Sequence, residues 1–246
     1  YKALLALKSR NGIVFSPHPG AVKSIMETVR LIEEAAVAAG APEGLVQVIK
    51  EPTLEETNAM MEDEDTALIL ATGGGGMVKA AYSSGNPTIG VGPGNAPAFI
   101  EKSADIDNAV QTIIDSKTFD YGVICSSEES VLVEAAIKEE TVRTFEEKGA
   151  YFLNPEEQEK LRQVLNGDGR LNPQVVGKSA SALADLAGIE VPAETRVLLA
   201  EQTEISQENI YAGEKLTSLL TLYTVNDWAD GVNKAGQILD VTGLGH

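Results

Sequence analysis

Apolar and polar positions alternate between two kinds of stretch along this chain. Short apolar runs, GIVFS (12–16), LVQVI (45–49), TALILAT (66–72) and TIGVG (88–92), predict strands. Between the first two, Val22, Ile25, Met26, Val29, Ile32 and Ala36 recur at helical spacing over 19–39. Pro19 fits the first turn of that helix, where a missing N–H costs nothing, and Gly40 with Pro42 stops it. Thr53-Leu54-Glu55-Glu56 reads as a capping box opening a helix to about Met61. A further helix is expected around 75–84. Strands separated by helices indicate a parallel α/β sheet.

After Pro93-Gly94 the pattern resumes with new elements. Ile106, Val110, Ile113 and Ile114 give one apolar face to a helix over 105–118. SVLVE (130–134), VLLAE (197–201) and LLTLYTV (219–225) predict strands. Helices are expected over 135–148, from Asn154-Pro155-Glu156-Glu157 onward, near 174–187 and near 227–239. The boundary is expected near Pro93–Ser103, giving an N-terminal domain 1–92 and a second domain 93–246. No internal repeat or low-complexity segment is visible.

Hydrophobic content of 43% and charged content of 23% over 246 residues are ordinary for a globular chain with ample core. The net charge of −18 changes the picture more. With no segregated basic patch, it argues against nucleic acid and anionic membranes as partners, and no apolar run is long enough to span a bilayer. The acidic stretches Glu51–Glu56 and Glu62–Asp65 read as solvated surface. An anionic ligand would then be held by backbone N–H groups and helix N-termini. The single cysteine excludes an intramolecular disulfide and offers no metal-ligand spacing, so no metal is expected. Tyr1 is not an initiator residue, and the N-terminus of the native protein is expected to lie upstream.

That cysteine, Cys125, lies in FDYGVICSSEES (119–130), between an apolar and a polar triplet. A lone cysteine is commonly a small buried hydrophobe. If a helix begins after it, the N–H groups at that end would favour thiolate and make it a nucleophile. The glycine run Gly73–Gly76 follows a predicted strand and opens a predicted helix, where α/β folds present N–H groups to a pyrophosphate. It is not G-x-G-x-x-G, and a tight turn is the competing reading. His18, between two prolines, His246 and Glu214 carry no signal by themselves.

Taken in order, LKSRNGIVFSPHPGA, GAPEGLVQVI, ATGGGGMVKAAYSSGNPTIGVGPGN, SKTFDYGVICSSEES, GEKL and GLGH resemble the CoA-acylating branch of the aldehyde dehydrogenase superfamily. That branch includes the aldehyde domain of bifunctional aldehyde–alcohol dehydrogenases and microcompartment acetaldehyde dehydrogenases. The resemblance runs along nearly the whole chain. It implies an aldehyde-dehydrogenase-like α/β fold, with a partial Rossmann-like cofactor domain and a second α/β catalytic domain truncated at its C-terminus. It implies reversible oxidation of a short-chain aldehyde to acyl-CoA, with NAD as cofactor and coenzyme A as co-substrate. Acetaldehyde is the most frequent substrate in the branch; propionaldehyde, butyraldehyde and NADP stay open.

The resemblance also assigns roles. Cys125 is the nucleophile, and His246 matches the GLGH histidine near the thiol. Ser16, Pro17 and His18 face the adenosine ribose. Thr72, Gly73 and Gly74 face the pyrophosphate and nicotinamide, with Val91 and Gly92 also on the cofactor side. Glu214 and Leu216 match the E-x-(F/L) motif that holds the nicotinamide ribose. Where hydrolytic members carry a water-activating glutamate in ELGGK, this chain has GVGPG, with Gly90 at that position; this favours CoA over water. Where the branch has HEKLSP, this chain has GEKLTS, with Gly213 and Ser218 altered beside Glu214. The branch further implies a cytoplasmic location, or one inside a bacterial microcompartment. It also implies homo-oligomers at full length and, in some members, a fused alcohol dehydrogenase domain or a microcompartment shell. A hydrolytic aldehyde dehydrogenase and a degenerate, non-catalytic nucleotide-binding or assembly module are the alternatives. Gly90 opposes the first, and the retained Cys125, Glu214 and His246 oppose the second.

Overall fold

The structure, a computed structural model, describes residues 1–167 and 170–242. The chain divides into two compact units, Tyr1–Val91 and Gly92–His246.

The first unit holds two parallel strand pairs, each with helices against it. Strand β1 (Ile13–Phe15) pairs with β2 (Val46–Val48), and β3 (Ile69–Thr72) pairs with β4 (Thr88–Val91). Helix α1 (Lys2–Lys8) and helix α2 (Val22–Ala38) pack Ala3, Leu7, Ile25 and Val29 against Val46 of the first pair. Helix α3 (Leu54–Glu62) opens on the expected capping box. Thr53 accepts from the Glu56 N–H, and the Glu56 carboxylate accepts from the Thr53 N–H. Helix α4 (Gly75–Ser83) follows β3 directly, and Met61, Ala71 and Ala81 form the small core there. Pattern reading did not assign α1, although KALLALK is built from strong helix formers.

The second unit is a three-layer α/β unit. Its parallel sheet has the order β5-β6-β11-β10-β7: β5 Ala96–Ile100, β6 Glu128–Glu134, β7 Ala150–Phe152, β10 Val197–Glu201 and β11 Leu219–Val225. The short segments Asn166–Gly167 and Arg170–Leu171 (β8, β9) pair antiparallel. Both faces of the central strands are buried, which is why VLLAE and LLTLYTV read as continuous apolar runs rather than alternating ones. One face packs Ile100, Val131, Val133, Leu199 and Leu222 on α5 (Ile106–Thr118) and α6 (Lys138–Glu147). The other packs Leu198, Ala200 and Leu219 on α7 (Pro155–Leu165) and α8 (Ala180–Ala187). On that side Leu132 and Tyr223 meet Ile238 of α9 (Trp228–Thr242).

Two sequence expectations change, and one strand is added to them. The helix expected near 174–187 is broken: a single 3-10 turn at Pro173–Val175 is followed by Gly177 at φ +69°, and α8 restarts on the Ser179 cap. The helix expected from 135 begins as a 3-10 turn, Ala135–Ile137, and becomes α-helical at Lys138. Strand β5 went unread because Pro97 breaks its ladder; the strand is tolerated because it lies at the edge of the sheet.

Candidate active site

In the second unit, α5 hands the chain to a loop with unusual backbone. A 3-10 turn at Phe119–Gly122 carries Asp120 at φ +49°, Tyr121 at φ +52° and Gly122 at φ +73°. The Ser127 N–H then donates to the Ile124 carbonyl at 2.9 Å, closing a turn with Cys125 and Ser126 at its corner. Among the described residues only four non-glycines have positive φ: Arg10, Asp120, Tyr121 and Leu216. Three of them fall in the two segments singled out for chemistry. Such conformations are disfavoured for residues with a Cβ and persist where the surroundings hold them.

Cys125 is half-buried and free, and Phe119, Tyr121, Val123 and Ile124 beside it are exposed. No helix begins after the cysteine. Residue 128 starts strand β6, because Glu128–Glu134 must pair with β5 and β11. The helix N-terminus that would have favoured thiolate is therefore absent, and the turn that carries Cys125 leads into the N-terminal end of a central strand.

The GEKL segment follows a 3-10 turn, Ile210–Ala212. Glu214, half-buried, accepts the Gly94 N–H at 2.9 Å. The Asn95 side chain donates to the Ala212 and Ile238 carbonyls, each at 2.8 Å. The glycine-rich GVGPGN motif is thus joined to GEKL across more than a hundred residues of chain. Leu216 sits at φ +49°, and its carbonyl accepts the Gly177 N–H. Lys215 is fully buried; its ammonium donates to the Tyr211 and Gly213 carbonyls, and burial pushes its pKa down to about 8. Sequence reading passed over Lys117, Glu129 and Lys215. Charged residues are expected at the surface, and only their complete burial marks them.

In the first unit, Ser16, Pro17 and His18 follow β1. Ser16 shares a 2.7 Å hydrogen bond with the Thr57 hydroxyl, and Pro17 is buried. The His18 Nδ1 accepts the Gly20 N–H at 3.1 Å and caps the 3-10 turn Pro19–Ala21, and the residue is exposed. Thr72, Gly73 and Gly74 join β3 to α4, and Gly74 is the N-cap. The Lys2 ammonium donates to the Leu70 carbonyl and the Thr72 hydroxyl, each at 2.8 Å, and burial lowers its pKa. None of Gly73–Gly76 has positive φ, and a Cβ on Gly74, Gly75 or Gly76 would meet nothing within 4 Å. Neither backbone conformation nor internal packing calls for glycine there. Open space over the first turn of a helix is what a pyrophosphate needs to reach the N–H groups, so these residues fit a dinucleotide.

Gly90 is not in a turn but inside β4. Its N–H donates to the Tyr82 hydroxyl at 3.0 Å, and a Cβ there would lie 2.7 Å from the Tyr82 ring and 2.8 Å from a Val78 methyl. Val91 ends β4 and its carbonyl accepts the Gly73 N–H; Gly92 begins the second unit, half-buried. His246 lies outside the described residues. Among the described residues no three His, Cys, Asp or Glu side chains are grouped to hold a metal ion, and no helix is long and apolar enough to cross a membrane.

Comparison with known proteins places these features in a family. A profile described as the aldehyde dehydrogenase family matches residues 1–161. The aldehyde-alcohol dehydrogenase of Clostridium acetobutylicum is 47% identical over 246 residues, covering 100% of this chain and 28% of that protein. An acetylating aldehyde dehydrogenase from Geobacillus thermoglucosidasius superposes with a TM-score of 0.97 at 50% identity, covering 100% of this chain and 54% of that one. A Rhodopseudomonas palustris propionaldehyde dehydrogenase with bound propionyl-CoA superposes with a TM-score of 0.83 at 33% identity, covering 94% and 51%. The chain therefore spans between about a quarter and about half of the length of these relatives.

Proposed function

The chain belongs to the aldehyde dehydrogenase family, and on that premise we propose that it carries the nucleophile and dinucleotide-binding segments of a CoA-acylating enzyme. The reaction is aldehyde + CoA + NAD⁺ to acyl-CoA + NADH + H⁺, and it is reversible. The observation that carries this reading is Cys125, a half-buried thiol at the corner of the turn that follows the left-handed Asp120, Tyr121 and Gly122. Its Sγ, as thiolate, adds to the aldehyde carbon; the C–S bond forms and the carbonyl electron pair moves to oxygen. A bound dinucleotide supplies the hydride acceptor that turns this adduct into a thioester of Cys125. The CoA thiol then attacks the thioester, His246 takes its proton, and the Cys125 sulfur leaves.

Ser16, Pro17 and His18 would hold the adenosine ribose, with Thr72, Gly73, Gly74, Val91 and Gly92 along the pyrophosphate and nicotinamide. Glu214 and Leu216 would hold the nicotinamide ribose. CoA rather than water is the acceptor because Gly90, overlain by Tyr82 and Val78, places no carboxylate where hydrolytic relatives keep one. Acetaldehyde as substrate, NAD over NADP, assembly as a homo-oligomer and a cytoplasmic or microcompartment location belong to the same proposal. A fused alcohol dehydrogenase domain, as the name of the Clostridium relative implies for that protein, is consistent with it.

The test uses the complete gene product. Cys125→Ala should abolish acyl-CoA formation and the acyl adduct seen by mass spectrometry while leaving NADH binding nearly intact; turnover above a trace would refute the assignment. With NAD⁺ and aldehyde but no CoA, the unaltered enzyme should give a burst of NADH and stop. Sustained free acid would mean that another base activates water. His246→Ala should spare that burst and lower steady-state acyl-CoA release by about 10²–10⁴-fold; a burst slowed equally would place His246 before acyl transfer.

A further inference from the structure

Glu129 is one of the most deeply buried charged residues of the second unit, 1% exposed, with Lys117 and Lys215, both 0% exposed, on either side of it. One carboxylate oxygen lies 2.9 Å from the Lys117 ammonium and accepts the Leu216 N–H at 3.3 Å. The other accepts the Lys215 N–H at 3.1 Å and lies 3.4 Å from the Lys215 ammonium. Two buried cations thus share one anion. Burying such a group is costly unless its geometry is fully met, and apolar residues of similar volume would serve packing as well.

The three residues come from three places that matter to the site. Lys117 is in the last turn of α5, just before the nucleophile loop. A side chain at position 122 would begin 2.7 Å from the Thr217 carbonyl oxygen and 3.1 Å from the Lys117 Cε. Gly122, at φ +73°, is therefore seated on the Lys117 stem and the residue after GEKL's Leu216. Lys215 lies between Glu214 and the left-handed Leu216. Glu129 is four residues after Cys125, at a break in the ladder. The register of β6 with β5 steps from Ala96↔Glu128 to Pro97↔Ser130, leaving Glu129 as the extra residue. A bulge of this kind re-aims a side chain, here into the interior.

We propose that the Lys117–Glu129–Lys215 cluster is a positioning device that fixes the Cys125 loop and the Glu214–Leu216 segment to one another, so that neither moves alone. The contact of Glu214 with the cofactor rests on the reading above; the coupling of the two segments does not. Glu129 holds two successive backbone N–H groups, which locks Leu216 in its left-handed conformation, and its charge holds the lysine under Gly122.

The test is a crossed one in the complete gene product, using lysine-to-methionine changes that keep chain length. Lys215→Met, made in the GEKL segment, should alter the rate at which iodoacetamide labels Cys125 by about threefold or more, with labelling mapped by mass spectrometry. Lys117→Met, made under the nucleophile loop, should weaken NADH binding by about the same factor. In a Glu129→Gln background, which keeps the shape but not the charge, both crossed effects should vanish. Variants that each perturb only their own segment, or crossed effects that persist with glutamine, overturn the proposal. If Glu129→Gln does not melt cooperatively, the Lys117→Met/Lys215→Met double variant decides: additive effects overturn the coupling and non-additive ones support it. If the unaltered protein binds no NADH, the cofactor reading fails, and the Cys125 labelling of the two single variants and their double still decides the coupling.

Discussion

Gly90 shows how much a single position depends on its neighbours. Its place in the resemblance suggests that a glutamate there would activate water. The structure puts the Tyr82 ring and Val78 where the side chain would begin. Gly90→Glu alone should destabilise by about 1–3 kcal/mol through overpacking and yield no hydrolysis. Space made by Val78→Ala and Tyr82→Ala in the same protein should be needed before CoA-independent acid production rises; activity in the single variant would contradict this. Lys215 gives a pH signature. With its pKa at about 8 in the folded chain, against 10.5 when exposed, the unfolded state binds more protons between those values. Stability should therefore gain from this group as pH rises from about 8 to about 10.5, with a slope of at most about 1.4 kcal/mol per pH unit. Urea unfolding across that range, compared with Lys215→Met, isolates the term, since the variant should lose the slope whatever its absolute stability.

Among the elements, the helix starts were the most legible part of the chain. Asn154 accepts the Glu157 N–H at 3.0 Å, the Glu157 carboxylate accepts the Asn154 N–H at 2.8 Å, and Pro155 occupies the first turn, as the four-residue motif implies. Asn154→Ala should lower stability by about 0.5–2 kcal/mol, read as a lower urea midpoint at unchanged slope. Helix interiors interrupted by local chemistry were harder to read. Gly177 at φ +69° ends one turn before Ser179 starts the next, and apolar spacing alone runs through both. The helix that would have favoured a Cys125 thiolate is absent for a different reason. SSEES has no strong preference, and pairing of β6 with β5 and β11 decided its conformation.

At the scale of the molecule, the two units differ in how completely their sheets are covered. The five-stranded sheet of the second unit is packed on both faces. In the first unit Val14 and Ile89, on the strands, are 49% and 58% exposed, and Leu4 of α1 is 59% exposed. Parallel strands are normally covered on both sides, and apolar surface of this kind invites association. Residues 1–246 should self-associate through this surface. A monomer at all concentrations in size-exclusion chromatography would count against this.

By itself the sequence determined the α/β class and most strands and helices, and it singled out the segments around Cys125, Gly73–Gly76 and Glu214 as candidates for chemistry. Each of these is written in local periodicity, caps, glycine runs or short motifs. Only the tertiary structure decided that Glu214 meets the Gly94 N–H, that Gly90 has no room for a side chain, and that Glu129 stands between two buried lysines. Those facts depend on contacts between residues far apart in the chain. A buried carboxylate and a solvated one are the same letter in the sequence; what separates them is which other segments the fold brings to close over it.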